Sequence, residues 1–397
     1  MSIVDFRAKS PESLGVDPDK LEAVFARAEK EVREGLLPSC QIAVARHGQL
    51  AGFRSFGRVT CEGRPTYASD DTLYVIFSAT KGITSAAAWI LIQEGRLDPS
   101  ERAAAIVPGF GANGKEGIRV EQLLTHTAGF PRAPFRPSEF LDRARRLERF
   151  ARWTLSWEPG SRFEYHPSSS MYVVAEIIER RSGMAYGEFG RERIARPLGL
   201  PDLVCGLPRE QHHRVADCVG VGEALTAEDF QRMGVPQPPV TEVTEEAVTS
   251  FNLPEVRIAG IPGGGGTATA ADLALFYQGL LHGGALGGEK IWRPETLEMA
   301  RTIRTGELTD PVFGRRANRA LGVVIAGDED RTYRGFGHTN SELAFGHNGA
   351  GGQLAWADPR TGISIGYCTN GHDRNPIRQG RRNVGIGSRV ADCALDA

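Results

Sequence analysis

Residues 74–97 read YVIFSATKGITSAAAWILIQEGRL and place a lysine where a charge is costly. Lys81 lies between an extended apolar run at 74–77 and an apolar run with helical spacing at 83–91. Ser78 precedes the lysine by three residues, so the pair forms the pattern S-x-x-K. If Ser78 opens the helix, the hydroxyl comes within reach of the amine, because residues i and i+3 share one helix face.

This pattern suits nucleophilic catalysis. A serine hydroxyl is a weak nucleophile until a base removes its proton. Lysine can be that base only when burial or nearby cations favour its neutral form, and the apolar neighbours of Lys81 predict burial. Backbone N–H groups at the helix start can stabilise a developing oxyanion. The pattern also fits a simpler alternative, in which Ser78 caps the helix and Lys81 extends to solvent.

Composition and net charge indicate an ordinary globular protein and give no reason to expect nucleic acid or a membrane as partner. The chain has 397 residues, 41% hydrophobic and 24% charged, which is ordinary for a globular protein of one or two domains. The net charge of −2 gives no electrostatic reason to expect nucleic acid or a membrane as partner. The N-terminal residues 1–17 lack the apolar segment of a signal peptide and no transmembrane run is present, so we predict a cytoplasmic location.

The six cysteines are widely spaced and the nine histidines show no metal-ligand spacing. We therefore predict reduced, buried cysteines and no metal site.

Strand-like segments are concentrated at the two ends of the chain. A helix is predicted at 17–34 and a hairpin turning at His47-Gly48, then a strand at 319–327, a second hairpin at 352–371 and a helix after Pro376. The middle of the chain has helical spacing instead, at 80–96, 119–125, 138–153, 168–182, 186–196 and 267–284. Residues 203–262 look irregular, with a proline-rich surface loop at 234–248.

This distribution predicts an α+β fold, in which an antiparallel sheet is flanked by N- and C-terminal helices and carries an inserted, mainly helical domain. The boundaries expected from the sequence are 1–72 and 265–397 for the sheet domain, and 73–264 for the insertion with its long loop.

Beyond S-x-x-K, the chain resembles the serine β-lactamase-like, penicillin-recognising hydrolases. The resemblance is strongest to the class C-like branch, which includes the family VIII carboxylesterases. Five segments carry it in the same order: 73–99, 120–131, 157–183, 261–284 and 345–370. The resemblance implies the β-lactamase/transpeptidase-like fold and an acyl-enzyme formed on Ser78.

The second motif of that family is usually Y-x-N. Here Tyr165 takes the tyrosine position and is followed by His166 and Pro167, so the asparagine is absent. Tyr165 would share proton transfer with Lys81. A gapless alignment would instead place His166 under the tyrosine. His166 can also assist or replace the missing amide, and Tyr165 can be only a packed aromatic.

The third motif is usually K-T-G or H-x-G, and His347-Asn348-Gly349 fits the second form. The resemblance implies an oxyanion hole made by the backbone N–H groups of Ser78 and Ala350. Gly349 is expected to let substrate approach the strand closely. His126, in the H-T-x-G segment, is expected to hold a loop.

The sequence therefore predicts a serine hydrolase that acts on small ester or amide substrates and uses no metal or organic cofactor. A carboxylesterase is favoured because His347 replaces the permanent cation of K-T-G, which weakens binding of an anionic β-lactam or peptide. An acyltransferase and a β-lactamase or D-aminopeptidase-type amide hydrolase remain alternatives, and so does a catalytically weak ligand-binding protein. The sequence indicates no particular oligomeric state.

Overall fold

The computed structural model describes residues 6–235, 237, 243–285 and 287–395, and its largest sheet has seven strands. The strands are β1 Ser39–Arg46, β2 Gln49–Cys61, β3 Arg64–Tyr67, β4 Tyr74–Val75, β5 Val204–Cys205, β6 Val219–Val221, β7 Gly266–Ala268, β8 Thr309–Asp310, β9 Arg315–Arg316, β10 Val324–Ile325, β11 Phe345–Gly346, β12 Leu354–Ala357, β13 Ile363–Thr369 and β14 Gly371–Asp373. The large sheet has the order β10-β11-β12-β13-β1-β2-β3 and is antiparallel throughout.

Helices occupy most of the middle of the chain and both of its ends. They are α1 Pro18–Arg33, α2 Thr80–Gln93, α3 Ala103–Ile106, α4 Val120–Leu124, α5 Arg143–Arg152, α6 Ser169–Ser182, α7 Tyr186–Gly190, α8 Arg196–Leu198, α9 Ala227–Met233, α10 Glu245–Thr249, α11 Pro254–Ala259, α12 Ala270–His282, α13 Pro294–Arg301 and α14 Pro376–Ala391. None of the described helices is long and apolar enough to cross a membrane.

Both predicted hairpins form. The β1–β2 turn has His47 at φ 53° and Gly48 at φ 77°, the positive values that a two-residue hairpin turn requires. The β12–β13 turn closes at Gly362, with φ of 71°. These two hairpins and the short strands β10 and β11 build the sheet from both ends of the chain, which confirms the predicted α+β class.

The sheet lies between two helical layers. Every residue of β1 is buried, because alternate side chains of a strand point to opposite faces. Ile42 and Val44 pack on one face, in the cluster that contains α1 and α14. Ala43 and Ala45 pack on the other face, in the cluster that contains α12 and α2. The terminal helices α1 and α14 therefore flank one face of the sheet, and α2 and α12 flank the other.

The approach of α12 to the sheet depends on small residues. A Cβ on Gly366 of β13 would lie 1.9 Å from the backbone oxygen of Ala270, so no larger residue fits. The N-terminus of α12 is fixed by a capping box, since the Thr269 hydroxyl and backbone N–H donate to the Asp272 carboxylate and the Asp272 N–H donates to the Thr269 hydroxyl.

Two predicted segments differ from the structure. The strand expected at 319–327 is limited to the two residues of β10, because Gly322 adopts φ of 87° and turns the chain. The loop expected at 234–248 ends in helix α10, and residues 236 and 238–242 of it lie outside the described residues. The predicted domain boundaries at 72/73 and 264/265 stay a prediction.

Candidate active site

A sharp backbone turn presents Ser78 at the start of α2. β4 ends at Val75, and Phe77 then adopts a left-handed conformation with φ of 44°. A non-glycine residue in that region carries a strain of about 1–3 kcal/mol. The Phe77 ring packs edge-to-face on Phe251, with 5.3 Å between the ring centroids, and this contact helps to hold the turn. Ser78 therefore stands on a 3-10 turn just before the helix, where its hydroxyl is not part of the helix packing.

Lys81 is fully buried in the first turn of α2. Its Nζ lies 3.2 Å from Ser78 Oγ and donates hydrogen bonds to the carbonyl oxygens of Pro167 at 2.6 Å and Gly263 at 2.7 Å. These bonds offset part of the free energy that burial of an amine requires. The alternative in which Lys81 extends to solvent is wrong, because α2 is apolar on all sides and is itself buried.

Tyr165 lies in the segment that precedes α6. Its hydroxyl donates a hydrogen bond of 2.9 Å to Ser78 Oγ. The Nζ of Lys81 lies 5.1 Å from the centroid of the Tyr165 ring. The structure thus brings together the three residues that the sequence selected as catalytic, with the serine oxygen between a phenol and an amine.

His166, the competing choice for the tyrosine position, does not bond to Ser78. Its Nε2 accepts a hydrogen bond from the backbone N–H of Phe130 at 3.2 Å. Its Nδ1 lies 2.7 Å from the carbonyl oxygen of Glu164, which assigns Nδ1 as the protonated nitrogen. Both ring nitrogens are therefore engaged by backbone groups, and the side chain supports the loop that carries Tyr165.

The absent asparagine of the Y-x-N motif is replaced by a backbone group. Pro167 occupies that position and has no amide, but its carbonyl oxygen accepts from Lys81 Nζ. The glycine-rich run that begins at Gly263 supplies the second acceptor. Two backbone carbonyl oxygens therefore orient the Lys81 amine.

Three buried histidines surround these groups in their neutral form. Burial, with further contributions from Arg319 and Lys81, holds the pKa values of His126 and His347 well below the usual range. Burial likewise lowers the pKa of His166 to about 4. His126 Nδ1 accepts from the backbone N–H of His166 at 3.2 Å, so it holds the loop, as expected from the sequence.

We predict that acidification destabilises the protein through these histidines. Between pH 6.5 and about 4 the unfolded chain binds a proton at residue 166 and the folded chain does not, so stability falls as pH falls through that window. For His166 alone the free energy of unfolding should decrease by about 2 kcal/mol between pH 7.5 and 5. Urea unfolding at pH 7.5, 6 and 5 measures this loss.

The matched control is His338→Gln, since His338 is exposed. This variant should keep the full loss of stability on acidification, whereas His166→Gln should lose less. Equal losses in the two variants would contradict the assignment of a neutral, buried His166.

The third motif lies directly after β11. Neither the backbone N–H of Ser78 nor that of Ala350 donates a hydrogen bond to any described residue, as an oxyanion hole requires. A Cβ on Gly349 would lie 2.3 Å from the backbone oxygen of Ile76. The need for glycine therefore arises from close packing of the chain on itself beside Ser78, whereas the sequence suggested close approach of substrate.

Arg319 is a site residue that sequence reasoning missed. Its Nη1 lies 3.5 Å from His347 Nε2, and its guanidinium carbon lies 5.3 Å from the Tyr165 ring centroid. His347 is neutral, as the sequence indicated, but Arg319 places a cation next to it. No local pattern signals this residue, since it precedes the two-residue β10 and reaches the site only through the fold.

A cavity of about 560 Å³ opens beside Ser78 and Ala350. Its wall is mainly apolar and aromatic, with contributions from Phe77, Phe135, Tyr172, Val248 and Phe251. The Phe135 and Tyr172 rings contact each other at a tilt of 30°, with 3.9 Å between centroids. Apolar pockets with few polar groups are typical of small-molecule binding sites.

The arrangement has the parts that acyl transfer needs: an oxygen nucleophile, two adjacent proton-transfer groups and two free N–H donors. Within the described residues, no group of three or more histidine, cysteine or carboxylate side chains is placed to hold a metal ion. Ser78, Lys81 and Tyr165 can supply nucleophilic attack and proton transfer.

Known proteins of several names are similar to this chain over most of its length. A penicillin-binding protein homologue from Caulobacter crescentus has 29% sequence identity and a TM-score of 0.76, over 95% of this chain and 99% of that one. A family VIII carboxylesterase has 26% identity and a TM-score of 0.75, over 95% and 99% of the two chains.

Among curated proteins, one of Escherichia coli (strain K12) is provisionally named a D-alanyl-D-alanine carboxypeptidase. It is 26% identical to this chain over 398 residues, or 94% of this chain and 87% of its own length. The family model Beta-lactamase matches residues 25–385. The chain belongs to the beta-lactamase family of serine hydrolases.

Proposed function

We propose that this protein is a carboxylesterase that cleaves small esters with an apolar acyl group through an acyl-enzyme on Ser78. The observation that carries the proposal is the apolar cavity beside the Ser78 hydroxyl. An acyl chain or ring in that cavity is removed from water, and each buried CH₂ contributes about 0.8 kcal/mol to binding. Similarity to a family VIII carboxylesterase supports the same choice.

The proposed reaction has two stages. Ser78 Oγ attacks the ester carbonyl carbon as its single proton passes to the Tyr165–Lys81 pair, one member of which must be deprotonated, and the N–H groups of Ser78 and Ala350 stabilise the oxyanion. The proton then passes to the departing alkoxide, which leaves as the alcohol. Water attacks the acyl-enzyme with the same groups as base, the acid departs, and the serine recovers its proton.

The sequence favoured esters because His347 replaces a cation, but Arg319 supplies a cation beside His347. The proposed preference for esters therefore has another basis. It depends instead on the cavity wall, where charged side chains are few: Arg132 and Glu246 are the only ones among the described residues that line it. Esters match such a wall better than a β-lactam or a peptide does, because the latter two each carry a carboxylate. A cytoplasmic location remains part of the proposal and argues in the same direction.

We predict that kcat/KM for p-nitrophenyl butyrate exceeds that for nitrocefin by on the order of 10²-fold. A D-alanyl-D-alanine peptide should be cleaved as poorly as nitrocefin. The test measures kcat/KM for the three substrates with one enzyme preparation. The ester assay is repeated with an added alcohol, because acyl transfer to that alcohol would produce a new ester. A nitrocefin or peptide value equal to the ester value would exclude the carboxylesterase assignment.

A further inference from the structure

A run of four glycines, Gly263–Gly266, lies beside the Lys81 amine. The carbonyl oxygen of Gly263 accepts a hydrogen bond from Lys81 Nζ at 2.7 Å. Glycine has the greatest conformational freedom of all residues and loses the most of it on folding. A carbonyl oxygen in such a run can therefore hold the amine in one place only if other contacts fix the run.

Two threonines of α2 provide those contacts. The Thr84 hydroxyl donates to the carbonyl oxygen of Pro262 at 2.7 Å, and the Thr80 hydroxyl oxygen accepts from the N–H of Gly266 at 2.9 Å. Both threonines are fully buried, and they share one helix face because they are four residues apart. Lys81 lies between them in the sequence. The helix that carries the lysine therefore also fixes both ends of the segment that accepts from it.

The Thr84 hydroxyl is oriented by a second buried hydroxyl, that of Tyr186 in α7, and the two oxygens lie 2.6 Å apart. Thr84 has a single hydroxyl proton, and its contact with the Pro262 oxygen is shorter than its contact of 3.2 Å with the Thr80 carbonyl oxygen, which assigns the proton to Pro262. Tyr186 is then the donor to Thr84, since its other neighbour, the Cys205 sulfur, lies farther away, at 3.4 Å. Burial raises the pKa of Tyr186 well above its usual range, so the phenol keeps the proton that it donates. The hydroxyls thus form one chain of hydrogen bonds that ends at Pro262.

We propose that Thr84 is a positioning residue for the Lys81 amine. Its hydroxyl fixes the Pro262 carbonyl and so places the adjacent Gly263 carbonyl. That carbonyl holds Lys81 Nζ at 3.2 Å from Ser78 Oγ. The inference rests on the proposed function, because it assumes that Lys81 takes part in activating Ser78. In a purely structural role, Thr84 would stabilise the packing of α7 on α2 and leave Ser78 unaffected.

The experiment measures kcat and KM for p-nitrophenyl butyrate in wild type, Thr84→Val, Thr84→Ala and Thr84→Ser. Valine keeps the shape of threonine and removes its hydroxyl, so kcat should fall by about 10–100-fold, as expected for a displaced proton-transfer group. KM should change less than kcat, because Thr84 is not among the residues that line the cavity. Thr84→Ser should restore most of the lost activity, since serine keeps the hydroxyl that donates to Pro262.

Ser364→Ala is the matched control, because it removes an equivalent pair of hydrogen bonds elsewhere in the core. The fully buried Ser364 hydroxyl donates to the carbonyl oxygen of Ala274 at 2.7 Å and accepts from Gln278 Nε2 at 2.9 Å, between β13 and α12. Its loss should lower the melting temperature by an amount similar to the loss in Thr84→Val, and should leave kcat unchanged.

A further variant ranks the members of the chain of hydroxyls. Tyr186→Phe removes the donor to Thr84 but leaves Thr84 able to donate to Pro262, so kcat should fall less than in Thr84→Val. The two hydroxyl-free variants of Thr84 guard against misfolding of one of them, which the melting temperature reveals. A folded Thr84→Val enzyme with wild-type kcat would overturn the proposal. So would a serine variant as impaired as the valine variant, or a Ser364→Ala enzyme that loses as much kcat.

Labelling by a fluorophosphonate separates this inference from the proposed function. The label needs an activated serine and no known substrate, so its rate reports directly on Ser78. If wild-type Ser78 is labelled and the folded, hydroxyl-free variants are labelled at the wild-type rate, the role of Thr84 is refuted and the hydrolase remains. If wild type is labelled but cleaves no ester, the carboxylesterase assignment fails, and slower labelling of Thr84→Val still supports the positioning role. If wild-type Ser78 is not labelled at all, both proposals fail.

Discussion

Replacement of Ser78 by alanine is expected to lower the kcat for p-nitrophenyl butyrate by on the order of 10⁴-fold or more. Ser78 Oγ lies between the other two groups, 2.9 Å from the Tyr165 hydroxyl oxygen and 3.2 Å from Lys81 Nζ. Without it no acyl-enzyme can form, and only the remaining donors can act on the ester. Any residual activity above that of buffer would come from those donors and from binding of the ester.

The fold should survive this substitution. Lys81 keeps its hydrogen bonds to the carbonyl oxygens of Pro167 and Gly263, so the buried amine is not left without acceptors. The melting temperature should stay within a few degrees of wild type, and kcat and melting temperature should be measured on one preparation.

Ser85→Ala is the matched control, because Ser85 lies on the same helix, is fully buried, and its hydroxyl has no partner among the described residues. It should retain wild-type turnover. If Ser78→Ala kept more than a tenth of wild-type turnover, the nucleophile would be another group.

Local sequence patterns were sufficient to predict the elements whose contacts are made between residues close in the sequence. The S-x-x-K spacing gave the relation of Ser78 to Lys81, and the residues His47-Gly48 gave a hairpin turn that needs positive φ. α14 formed even though it contains Gly380, Gly385 and Gly387, because its apolar face, including Ile386 and Val390, is buried against the sheet. Tertiary packing there outweighs the low helix propensity of glycine.

The parts that could not be predicted depend on long-range contacts. The Lys81 amine donates to the backbone carbonyl oxygens of Pro167 and Gly263. Every residue type has a backbone carbonyl, so the residue type does not indicate which carbonyls will accept. Arg319 was missed for a related reason, since only the folded chain brings it to His347. Whether Tyr165 or His166 occupies the tyrosine position of the second motif depends on a gap in the alignment. The spacing of the sequence alone does not decide whether that gap is present.

Replacement of Tyr165 by phenylalanine tests that choice, and is expected to lower kcat by roughly 10²–10⁴-fold. The ring and its contacts with the Lys81 and Arg319 cations remain, so the variant removes only the hydroxyl that donates to Ser78 Oγ. In the proposed mechanism this hydroxyl belongs to the Tyr165–Lys81 pair that receives the serine proton and passes it to the leaving alkoxide. KM should change little, because the ring still fills its place.

The matched variant is His166→Ala, whose expected effect is of a different kind. It removes the acceptor of the Phe130 N–H and the donor to the Glu164 carbonyl oxygen, so it should reduce stability, and lower kcat less than Tyr165→Phe does. The wild-type pH–rate profile gives an independent check, since a coupled lysine–tyrosine pair makes activity rise towards alkaline pH. A histidine base would instead give a rising limb near pH 6.5 or below. A Tyr165→Phe enzyme with near-normal kcat, combined with an inactive but folded His166→Ala enzyme, would reverse the two assignments.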